Sequence, residues 1–149
     1  MEQLLAQLRV LLADNVALKL KSHGYHWNVE GDDFPQFHEF FGDIYANYDE
    51  ATDTYAEWLR MMKAYSPYRL TDFFDLSTVG EPVITGDPQP MLVDLYNEIE
   101  IHIAKLVEAG KLATAMNEFG LANFFADRQT ASQKFCWQIR ASMETEEMD

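Results

Sequence analysis

Leu4, Leu8, Leu11, Leu12 and Leu18 fall at helical rather than alternating spacing, with Leu8 followed by Leu11 and Leu12 and Leu11 by Leu18 seven residues on, so that they line one face of an α-helix. Phe34, Phe37, Phe41, Ile44, Tyr48 and Tyr55 follow the same period, and Leu92, Leu95, Ile99, Ile103 and Leu106 repeat it in the second half of the chain. The apolar/polar alternation of a half-buried strand is absent from the first two stretches. The pattern predicts long amphipathic helices.

Punctuation between the periodic stretches divides the chain. Gly31-Asp32-Asp33 breaks the first half; Asp33 followed by Gln36 reads as an N-cap with a capping box, and Pro35 suits a first helical turn. Four of the five prolines, Pro67, Pro82, Pro88 and Pro90, lie between positions 66 and 90. Asp87 caps a helix that opens at Pro88, and Gly120 punctuates the chain before the last helix. The expected elements are a first helix at about 2–28, a second at about 34–64, a connection over 66–90, a third helix at about 89–117 and a fourth at about 121–144. Thr71-Asp-Phe-Phe-Asp reads as a short helix within the connection. A chain of 149 residues suits one domain, here 1–149. The long connection fits an all-α, ferritin-like four-helix bundle with one crossover better than an up-down-up-down bundle.

Charge narrows the classes of partner. Eleven Lys and Arg stand against 25 Asp and Glu, a formal net charge of -14, and no basic arm is visible, so DNA binding is not expected. A surface this acidic concentrates cations instead. The single cysteine, Cys136, cannot form an internal disulfide, and this fits a reducing cytoplasm. Between Phe135 and Trp137 it reads as a packing residue, which leaves metal binding to His, Asp and Glu. No apolar run reaches the ~18 residues of a membrane span, because Asp14, Lys19 and Lys21 interrupt the richest stretch. The start MEQLLAQL is acidic where a signal peptide is basic. The expected location is cytoplasmic.

His23, His26 and His38 bracket the break between the first two helices. Three-residue spacing brings His23 and His26 together on a helix, for packing as readily as for ligation. Along the second helix, His38, Gly42, Tyr45, Asp49, Asp53 and Glu57 form one slowly drifting stripe at 100° per residue. A carboxylate stripe is ordinarily a solvated face, and large aromatics on and beside this one weaken that reading. His38 and Asp53 are 15 residues apart on one helix, hence ~22 Å along its axis, so one chain cannot bring them to one metal ion. Were the second helix to pair antiparallel with its two-fold mate, the histidine end of one chain would meet the carboxylate end of the other. Such a nitrogen and oxygen donor set suits iron, manganese or zinc.

The run His26-Trp27-Asn28, with Gly31, Phe34, His38 and Asp53-Thr-Tyr-Ala-Glu57, resembles the Dps family of mini-ferritins. The likeness extends to the short helix in the connection and to Lys134-Phe-Cys-Trp-Gln-Ile139. The resemblance implies a subunit that builds a hollow homododecamer from two-fold dimers, oxidises Fe(II) with hydrogen peroxide or oxygen, and stores ferric iron. It implies that His26 and His38 of one subunit, with Asp53 and Glu57 of its mate, are the catalytic and metal-binding residues of a ferroxidase centre. Trp27 matches the aromatic beside the family's iron centre. One ligand does not carry over: the family has an acid four positions after the second histidine, where this chain has Gly42, and Asp43 points roughly 100° away. The alternative expectation is therefore a non-catalytic shell that sequesters metal or scaffolds assembly. Ordinary ferritins use Glu-x-x-His within one bundle, and no Glu here is followed by His at that spacing. His102 is expected to be structural or a surface ligand.

Overall fold

The computed structural model describes residues 1–81 and 85–143. Among these, five helices and no strand occur: α1 Glu2–Asn28, α2 Phe34–Met61, α3 Leu70–Leu76, α4 Pro88–Ala115 and α5 Phe119–Ser142. α1 packs along α2, α4 along α5 and α1 on α4, while α3 lies on α1 within the crossover from α2 to α4. The expected all-α four-helix bundle is the observed one. No helix among the described residues is long and apolar enough to cross a membrane.

Local chemistry sets the helix ends, not always through the expected residue. Asp33 occupies the N-cap of α2 but its side chain makes no capping hydrogen bond. The turn is closed instead by Phe34 N–H donating to Gly31 O at 3.1 Å. Gly31 adopts φ +115°, a conformation that only glycine takes at little cost. Asp87 does cap α4, accepting from Gln89 N–H at 3.0 Å. α2 stops at Met61 rather than about 64 because Lys63 turns left-handed at φ 69°. α4 ends at Ala115, and Asn117 at φ 61° makes the turn into α5. Gly120 is thus not the break but part of the first turn of α5; a Cβ there would stand 3.0 Å from the Trp58 ring. The expected helix end at Glu144 lies outside the described residues, as does Pro82.

The apolar faces merge into two clusters. One gathers Tyr25, Phe41, Tyr48, Leu92, Ile99 and Ile139; the other gathers Leu4, Leu8, Tyr55, Leu59, Leu106 and Phe125. Each such leucine or aromatic contributes ~1.5–3 kcal/mol on burial. Polar groups join the elements: Asn15 Nδ2 donates to Tyr48 O at 2.8 Å and to Thr52 Oγ1 at 3.1 Å, and the Tyr48 and Ser132 hydroxyls pair at 2.8 Å. His102 is buried edge-on to the Tyr48 ring, which makes it structural rather than a surface ligand.

A buried acid fastens the crossover to the bundle. Asp14, 2% exposed, accepts from Thr78 N–H at 2.6 Å, Thr78 Oγ1 at 2.9 Å and Ser77 Oγ at 3.2 Å. Lys105 Nζ on α4 lies 3.2 Å from the same carboxylate and also bonds Thr78 Oγ1. One side chain of α1 therefore holds both the crossover and α4.

Candidate metal centre

The break at Gly31 folds α1 and α2 into a hairpin, and so residues 12 positions apart in sequence face each other. His26 and His38 stack with centroids 3.8 Å apart and planes 15° apart. Each ring is tied to the other residue's backbone: His26 Nδ1 lies 2.5 Å from His38 O, and His38 Nδ1 lies 2.7 Å from His26 O. A carbonyl oxygen only accepts, so each Nδ1 must carry the hydrogen. A ring tethered through Nδ1–H leaves Nε2 as the nitrogen that can bind a metal, the arrangement in which histidine ligates one. Both rings are half-buried, with Phe34 stacked on His38 at 4.9 Å.

His23 belongs to an adjoining aromatic column. Its ring stacks on Tyr45 at 3.7 Å and meets Trp27 at 3.9 Å, 6.0 Å from His26. Desolvation first, then the positive potentials of His26 and Lys19, lower the His23 pKa against a smaller opposing pull from Asp49. Asp49 itself pairs with Lys19 at 2.8 Å, so that carboxylate of the stripe is engaged within its own chain. Trp27 is exposed beside the histidines.

Asp53 and Glu57 do not join this cluster. They project one turn apart from the exposed face of α2, and α2 runs as one helix from Phe34 to Met61. The structure therefore brings His26 and His38 together, and leaves Asp53 and Glu57 on a separate part of the surface. Among the described residues, no three His, Cys, Asp or Glu side chains of a single chain gather as a metal site. Cys136 is buried, and burial followed by its hydrogen bond to Glu100 pushes its thiol up to about 12, which removes a thiolate from the donor set. Imidazole nitrogen with carboxylate oxygen is a set that fits Fe(II).

Two features of the site could not be located from the sequence. The backbone tethers of the histidines depend on how α1 and α2 approach. So does the place of Gly42, whose Cα faces the His26 ring: a Cβ there would stand 3.0 Å from Nδ1 and 3.1 Å from Cε1.

Comparison with known proteins agrees with this architecture. A family model described as a ferritin-like domain matches residues 5–148. The chain is similar to antigen TpF1 of Treponema pallidum, 39% identical over 75 residues; the match takes in 50% of this chain and spans 42% of that protein's length. It is also similar to the DNA protection during starvation protein of Helicobacter pylori, 29% identical over 142 residues, with 91% of this chain and 95% of that one covered. Among solved structures, Dps from Thermosynechococcus elongatus superposes with a TM-score of 0.93 at 22% identity, covering 97% of this chain and 92% of that one.

Proposed function

The chain belongs to the ferritin-like family, in its Dps branch, and from that premise we propose that it binds and oxidises Fe(II) at sites shared between subunits. Hydrogen peroxide is the favoured oxidant in this reading, and the ferric product is kept inside a hollow homododecamer built from two-fold dimers. The observation that carries it is the His26–His38 pair, whose Nδ1–H groups are occupied by carbonyls and whose Nε2 atoms are left to a metal.

Each group has a chemical part. His26 and His38 of one subunit supply neutral nitrogen donors, while Asp53 and Glu57 of the mate supply anionic oxygens. Negative charge beside the ion favours Fe(III) over Fe(II), so the carboxylates assist loss of the electron. Two Fe(II) each give one electron to one hydrogen peroxide, which takes up two protons and leaves as two waters. A formal net charge of -14 per chain draws the cation toward the particle and disfavours DNA as a partner. The surface also supports assembly: Leu70 is 89% and Phe74 74% exposed on α3, with Tyr65 and Tyr68 exposed nearby. Exposed apolar side chains on and beside α3 support this reading, as a surface that another subunit would cover. A cytoplasmic place of action completes the reading.

The test is to add Fe(II) anaerobically to the purified protein, then hydrogen peroxide, following Fe(III) absorbance while sizing the particle. The expected result is oxidation above the protein-free control, with iron retained in a large assembly. Asp53→Ala with Glu57→Ala should return the rate to background. Binding without oxidation above the control would instead identify a metal-sequestering shell without ferroxidase activity.

A further inference from the structure

Gly42 sits one helical turn beyond His38, in the interior of α2, where glycine is less favourable than alanine. Its backbone is ordinary helix, so no left-handed turn calls for glycine here. What does call for it is the His26 ring, 3.0 Å from the place a Cβ would occupy. That ring is held twice over, by its stack on His38 at 3.8 Å and by its Nδ1–H on His38 O. A methyl group at position 42 would require the ring to give by a few tenths of an ångström against these two supports.

We infer that Gly42 is a positioning residue for the metal centre: by having no side chain, it seats the His26 imidazole so that Nδ1–H reaches His38 O and Nε2 faces the ion. The inference rests on His26 being a metal ligand, as proposed above. It also reverses the simplest expectation from the sequence. Placing a carboxylate at position 42 adds a possible ligand, but its Cβ and Cγ displace a ligand already fixed. Gly42→Asp therefore weakens metal binding rather than strengthening it.

The experiment uses the assembled protein, Co(II) alone as a spectroscopic probe, and urea unfolding of the metal-free form. Wild type, Gly42→Ala, Gly42→Asp, His26→Ala and the Gly42→Ala/His26→Ala pair are titrated by calorimetry and visible absorption. Gly42→Ala should lower Co(II) affinity by roughly tenfold or more, as losses of ligand-orienting contacts do. Its metal-free stability should change little, because the helix preference of alanine offsets the strained ring contact. A loss of affinity without a matching loss of stability separates positioning from a general structural role. In the His26→Ala background the Gly42→Ala change should have no effect on Co(II), since the ring it displaces is gone. If Gly42→Ala instead fails to fold and His26→Ala restores folding, the contact is located on the same ring and the inference stands. Wild-type affinity in Gly42→Ala, or tighter binding in Gly42→Asp, would overturn it. Wild-type affinity in His26→Ala would overturn the underlying metal-centre reading instead.

Discussion

Mixing two half-disabled subunits separates a shared site from a self-contained one. α2 is continuous from Phe34 to Met61, which puts His38 and Asp53 ~22 Å apart along its axis, against metal–ligand bonds of about 2 Å. A subunit with His26→Ala and His38→Ala keeps both carboxylates, and one with Asp53→Ala and Glu57→Ala keeps both imidazoles. In a mixed two-fold pair, one site collects every altered group and the other collects every native one. Neither variant alone contains an intact site. Random pairing of equal amounts puts about half of the pairs in the mixed class, and half of their sites are whole, so about one quarter of wild-type sites return. The two variants would be co-expressed, and the assay would count tight Co(II) equivalents and the initial rate of Fe(III) formation on adding hydrogen peroxide. Both readouts should rise from near background for each variant to about one quarter of wild type for the mixture. The reasoning is refuted if either variant alone oxidises Fe(II) like wild type, or if the mixture does no better than the average of its parts.

Three further outcomes follow from the described contacts. Asp14→Ala removes the buried acceptor of Thr78 and Ser77, and should cost about 3 kcal/mol in urea unfolding, little of it from Lys105, which is 32% exposed; a loss under ~1 kcal/mol would show that the crossover does not depend on this carboxylate. His102 has its pKa lowered to about 4 by burial, with Arg128 and Lys105 adding to the effect and Asp14 opposing it. Above its ordinary value near 6.5 the ring is neutral folded or unfolded, so stability is flat there; between about 6.5 and 4 the unfolded chain binds the proton first, and stability falls with pH by at most ~1.4 kcal/mol per unit. His102→Leu should flatten that slope in unfolding curves from pH 4.5 to 8, and an unchanged slope would assign it to other groups. Cys136, buried and raised to about 12, should resist a disulfide reagent at neutral pH in the native protein and react promptly once urea unfolds it; native reactivity matching that of a free thiol would contradict its burial.

Legibility from the sequence followed the range of each interaction. The helical period, the break at Gly31 and the Asp87 cap depend on residues a few positions apart, and each is visible in the amino-acid order. Gly120 misled because glycine punctuates helices more often than asparagine does, whereas the left-handed residue here is Asn117 and Gly120 makes room for Trp58. The spacing of His26 and His38 was readable as a candidate site, and the length of α2 was enough to separate them from Asp53 and Glu57. Asp14 read only as an interruption of an apolar stretch. Its partner Thr78 lies 64 residues later, and no local pattern joins the two. Gly42 read as a missing ligand, since the ring that needs its space comes from another helix.

The two histidines are oriented by carbonyl oxygens, each belonging to the residue opposite. Main-chain oxygens are present whatever amino acid occupies the position, so no side-chain substitution removes either acceptor. Sliding α1 against α2 by one residue would break both tethers together. Ligand direction and the alignment of the hairpin are in that sense one mechanical coordinate, and an ion gripped by both rings would clamp the two helices against such a slip. Loading with metal should then stiffen the hairpin at its closed end, and strain applied there would be felt as a change in grip on the ion.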